Sequence, residues 1–168
     1  MLGLTTLGVI HTAISLVAVA AGIVALMRDK AITGKNSLGN VYVIATALTC
    51  LTGFGIYQHG GFGKPHVLGI LTLLALGVAA LAERSAAFSA KWPSVATVTY
   101  SLTLFFHAVP AITETTTRFP LGAPFIADRE GPELKMAAGV CFVIFVIGAV
   151  LQVRRRRREG GSLGSAGL

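Results

Sequence analysis

The sequence predicts an all-α fold, an integral membrane bundle of five transmembrane helices with its N-terminus outside and its C-terminus cytoplasmic. Three observations carry this. Hydrophobic residues make up 54% of the 168 positions and charged ones only 12%, about half the charge of an ordinary soluble domain. Five stretches contain no Asp, Glu, Lys or Arg: Leu2–Met27, Leu38–Tyr57, Val67–Ala82, Val95–Thr113 and Met136–Val153. The basic residues between them are distributed unevenly. Disorder and a disulfide scaffold are excluded, because the chain is apolar and holds only Cys50 and Cys141.

Each stretch can be justified in turn. A spanning helix needs about 20 residues, with roughly 17 to 25 tolerated. The first is long and is followed, not preceded, by its basic residues Arg28 and Lys30. A cleavable signal has the opposite order, so a retained helix is expected. The second, fourth and fifth meet the length. The third has 16 residues and is completed by Pro65 and His66. Residues 1–153 form the expected membrane domain. Residues 154–168, a basic run followed by Gly- and Ser-rich sequence, read as a flexible cytoplasmic tail. The connection from Glu114 to Lys135 is long, holds Pro120, Pro124 and Pro132, and offers Phe119, Leu121, Phe125 and Ile126 to an interface or as a cap on the bundle.

Orientation follows from the excess of Lys and Arg in cytoplasmic segments. With the N-terminus outside, Arg28, Lys30, Lys35, Arg84, Lys91 and Arg154 to Arg158 face the cytoplasm, ten in all. Lys64, Arg118, Arg129 and Lys135 face outward. A bacterial-type cytoplasmic membrane is the expected location. The net charge of +7 does not point to nucleic acid, because the arginine run has no interleaved aromatic residues. Beside a span, such a run anchors topology or meets lipid headgroups.

The candidate site is built from histidines. Within the spans only His11 and His107 titrate near neutrality, and an ionisable residue there faces the bundle interior or a cavity. At 1.5 Å per residue, His107 lies about 9 Å and His11 about 6 to 8 Å below the same outer boundary. His66 opens the third helix from that side, His59 lies in the preceding loop, and Glu114 shares a face with His107. Three readings are open. The pair can ligate haem b for electron transfer, with Gly8 and Gly53 admitting the macrocycle. His11, His66, His107 and Glu114 can hold zinc or copper. Alternatively each histidine bonds to a hydroxyl such as Thr46, Thr49 or Tyr100, with a structural role or an organic, quinone-like ligand. Pro110, close after His107, is expected to kink the fourth helix. Cys50 and Cys141 are expected to be small hydrophobes, although their similar depth permits a disulfide or soft-metal ligation.

No nucleotide motif and no acidic group in mid-span is present, so a self-contained hydrolase or pump is not expected. An accessory or assembly subunit of a larger membrane complex is the alternative to a redox role.

Leu38-Gly-Asn-Val-Tyr-Val43 resembles the Leu-Gly-Arg-x-Tyr-Val helix start of a bacterial family of multi-pass membrane proteins of unknown function. Phe105-Phe-His-Ala-Val-Pro110, followed by Glu114, Arg118 and Pro120, is similar to that family's last core helix. The resemblance covers roughly residues 4 to 120 and leaves the fifth helix as an extension. The chain departs from the pattern with Asn40 in place of the arginine and no histidine just before it. The resemblance implies a multi-pass inner-membrane fold and almost nothing about activity. A looser likeness to four-helix cytochrome b membrane domains rests only on histidines in antiparallel helices.

Overall fold

The computed structural model describes residues 5–57, 61–87, 89, 91–126, 128 and 131–165, with side chains described as far as residue 158 and that of Ala87 excepted. Five α-helices follow one another: α1 (Thr6–Asp29), α2 (Ser37–Gly53), α3 (Lys64–Arg84), α4 (Trp92–Thr116) and α5 (Pro132–Ser165). A short 3₁₀ turn, Ser85–Ala87, follows α3. Among the described residues there is no strand.

The ends are set by local chemistry. Thr5 caps α1 by accepting from the Gly8 N–H, and Asn36 caps α2 by accepting from the Gly39 N–H. Lys30 stops α1 in the left-handed region, φ 61°, with its N–H on the Leu26 carbonyl. Pro65 and Pro93 occupy first-turn positions of α3 and α4, where a missing N–H costs nothing. Helix α4 continues through Pro110.

Helices α1 to α4 close a ring in sequence order, with α1 touching α4 more lightly, and α5 lies outside that ring against α4. The core is made of small and hydroxyl-bearing residues: Ala18, Ala21, Ala25, Ala79, Thr46, Thr103 and Ser101 are buried, around Tyr42 and Tyr100. Large apolar side chains such as Leu16, Ile44, Leu74, Leu81 and Ile144 point outward. Water would penalise that arrangement; a hydrocarbon solvent does not, and small residues let helices approach closely there. Gly22 shows the closeness, since a methyl group on it would sit 2.9 Å from the Tyr42 ring.

Four helices are long and apolar enough to cross a membrane: α1, α3, α4 and the Pro132–Arg158 part of α5. Helix α2, expected to fill Leu38–Tyr57, has 17 residues, about 25 Å at 1.5 Å per residue. It stops at Gly53 and turns through Phe54. The connection after α4 is shorter than the sequence suggested, because α4 runs to Thr116 and α5 starts at Pro132. Helix α5 also runs past Val153 through the arginine run to Ser165, into the segment expected to be a flexible tail.

Candidate functional site

A polar column occupies the centre of the ring, and two helices build it. On α2, Tyr42, Thr46 and Thr49 recur at i, i+4 and i+7; on α4, Tyr100, Thr103 and His107 recur at i, i+3 and i+7. Both spacings keep a stripe on one helical face. All six side chains are buried. The stripes meet across the ring. Tyr42 Oη lies 2.6 Å from Thr103 Oγ1. The Thr103 hydroxyl donates its only proton to the Tyr100 carbonyl at 2.8 Å, so Tyr42 is the donor to Thr103.

One turn further along, His107 Nε2 lies 3.2 Å from Thr46 Oγ1. The imidazole stands edge-on to Tyr42, with ring centroids 6.5 Å apart, and is 7% exposed. His11 reaches α2 from the other side, its Nδ1 3.1 Å from Thr52 Oγ1. Thr52 donates its proton to α2 carbonyls, Leu48 at 2.8 Å and Thr49 at 3.1 Å. His11 is therefore the donor, through Nδ1–H, and its Nε2 carries the lone pair. His11 and His107 lie within electrostatic reach of each other, and Glu114 lies within reach of His11.

The histidine cluster expected at one end of the bundle is only partly assembled. His11 and His107 are each bonded to a threonine of α2, Thr52 and Thr46, six residues apart. His66 stands apart. It is buried, its Nδ1 accepts from the Gly63 N–H at 3.2 Å, and its ring stacks on Phe54, Tyr57 and Phe62 with centroids 6.4, 5.2 and 5.2 Å away. Its Nε2 is buried without a partner among the described residues. Glu114 pairs with Arg118 one turn on. Among the described residues, no three His, Cys, Asp or Glu side chains are grouped to hold one metal ion. His59 lies outside the described residues.

Gly53, expected to admit a flat ligand, gives room to the His11 ring itself, whose Cε1 would stand 3.2 Å from a methyl group there. Both cysteines are free thiols: Cys50 is buried in α2, and Cys141 lies on α5.

Two polar residues escaped the sequence reading. Glu83, near the end of α3, accepts from the Thr33 hydroxyl, the Gly34 N–H at 3.1 Å and Tyr100 Oη at 3.3 Å. It ties α3 to the α1–α2 connection and to α4. Gln152 on α5 accepts from Ser101 at 3.1 Å and donates to the Lys30 carbonyl at 3.3 Å. Glu83 carries no signal beyond being an acid directly before a basic residue, Arg84. Gln152, the sole amide of the last apolar stretch, could have been singled out on polarity alone.

Comparison with family models, with curated proteins and with solved structures gave no significant match.

Proposed function

We propose that the chain is a five-span protein of a bacterial-type cytoplasmic membrane, N-terminus outside, that serves as an accessory subunit of a larger membrane complex with no cofactor of its own. The observation that carries this reading is the state of the two interior histidines. Each is bonded to a threonine of α2, and His107 spends on Thr46 the nitrogen through which a haem iron is most often bound. A histidine placed this way joins helices, as interhelical hydrogen bonds do in membrane bundles. Helix α5 supports the partner role, since among the helices it packs on α4 and it keeps a long apolar surface open. Extraction in a mild detergent followed by native sizing tests the reading. A colourless assembly larger than one chain is expected; a stable pigmented monomer would overturn it.

A redox reading stands second, favoured by one specific feature. His11 holds Nδ1–H on a hydroxyl and keeps the Nε2 lone pair, the arrangement in which an outer hydrogen bond orients a ligating imidazole. His107 does not match it. For both to serve a haem b, Thr46 must give up Nε2 and Tyr42 must move from the ring edge. Zinc or copper would need a third ligand brought to the pair, and a quinone would need one of the two threonine bonds.

A further inference from the structure

The face that α5 turns to α4 changes character along its length. Ile144, Phe145 and Gly148 line an apolar groove with Leu104, Phe105 and Ala108 of α4, and the groove has a volume of about 260 Å³. The same i, i+3, i+4 stripe continues into Gln152, Arg155 and Arg156. These line a polar pocket together with Thr97, Lys30 and Asp29. Gln152 lines both, so the groove and the pocket adjoin at that side chain. From Cys141 to Gln152 the stripe covers about 16 Å at 1.5 Å per residue, close to one leaflet of a roughly 30 Å hydrocarbon core.

We propose that this site holds one anionic phospholipid, its phosphate on Arg155, Arg156 and Lys30 and an acyl chain along the α4–α5 groove. The proposal rests on the membrane reading given above, with the basic end of the bundle at an interface. Charge and polarity change where a lipid's do: apolar walls for one leaflet, then three cations at the headgroup level. Basic pockets between spans take anionic headgroups for this reason. The Arg156 guanidinium donates to Thr97 Oγ1 at 3.3 Å, which fixes it at the pocket wall. Among the described residues the one acid lining the pocket, Asp29, is bonded to Arg28 at 2.8 Å and to Asn36 at 3.2 Å, so its charge is offset at the rim. Gly148 keeps the groove open, because a methyl group there would meet nothing within 4 Å.

The test uses the full chain, stripped of lipid in detergent and then given phosphatidylglycerol, phosphatidylcholine or inorganic phosphate. Thermal unfolding and native mass spectrometry are read on each. Phosphatidylglycerol is expected to raise Tm by several degrees over phosphatidylcholine, with one lipid retained per chain and no effect of phosphate. R155Q/R156Q should abolish the difference, whereas R154Q/R157Q, which removes the same charge outside the pocket, should keep most of it. Gly148→Leu should reduce retention with every arginine in place. Equal Tm in the two lipids, equal loss in the two double variants, or a full effect of phosphate alone would each overturn the proposal. Recovery of all variants in the membrane fraction separates that failure from a failure of the membrane reading.

Discussion

Thr46 and Thr52 hold the two interior histidines from one helix, and the consequences of losing them differ. Thr46→Val strands His107 Nε2 in a buried setting, where an unmade hydrogen bond costs about 1–3 kcal/mol. A double-mutant cycle of Thr46→Val with His107→Leu, followed by denaturant unfolding in micelles, should give a coupling of about 0.6 kcal/mol and at most about 1.7. Zero coupling would mean that the bond is not made. Thr52→Val should do less, because His11 is only half-buried and can reach other acceptors. At this scale the sequence offered Thr46, the partner of His107, among the candidate hydroxyls and missed Thr52, the partner of His11. Depth follows from counting residues along a helix, but the partners on α2, Thr52 for His11 and Thr46 for His107, stand six residues apart, about 9 Å along the axis. Which threonine meets which nitrogen depends on how α2 is rotated against α1 and α4, and spacing within one helix does not contain that.

Helix α2 is the tightest-fitted element. Its start packs so closely on the turn before it that a methyl group on Gly39 would stand 1.6 Å from the Thr33 carbonyl oxygen. Backbone lies in the way, so no rotamer change relieves the clash. Gly39→Ala is therefore expected to abolish recovery of monodisperse protein on sizing, whereas Gly77→Ala, with nothing within 4 Å, should leave it unchanged. Helix α5 is the most loosely fitted. Its aromatic contacts converge on Phe105, which meets Phe142 and Phe145 at centroid distances of 5.7 Å each. Such pairs contribute about 0.5–1.5 kcal/mol apiece. After a protease cut within residues 117–131, wild-type α5 should stay with the ring on sizing, and Phe105→Ala combined with Gln152→Leu should release it. The number of helices was legible because five charge-free runs are interrupted by charges. Their ends were not, because a helix does not stop where its apolar run stops. Helix α3 begins at Lys64 and α5 persists through five arginines, both good terrain for a helix once the backbone is nucleated.

Across the whole molecule, the ends of the ring differ in kind. Lys30, Arg155 and Arg156 share a pocket at one end, where Glu83 also ties α3 to the α1–α2 connection. His11, His66 and the Phe54–Tyr57 turn occupy the other. Reporter fusions after Lys35, Lys64, Lys91 and Lys135 are expected to alternate inside, outside, inside, outside. The fusion after Lys64 carries most weight, because it depends on the 17-residue α2 crossing; activity of a cytoplasm-only reporter there would leave α2 on one side. The proposed role of His11 and His107 is to join helices without ligating haem. The visible absorption spectrum of the protein extracted directly from its native membrane tests it most directly. A spectrum without a Soret band, unchanged in His11→Ala and His107→Ala, is the predicted result. A Soret band that is lost or shifted in either variant would contradict it.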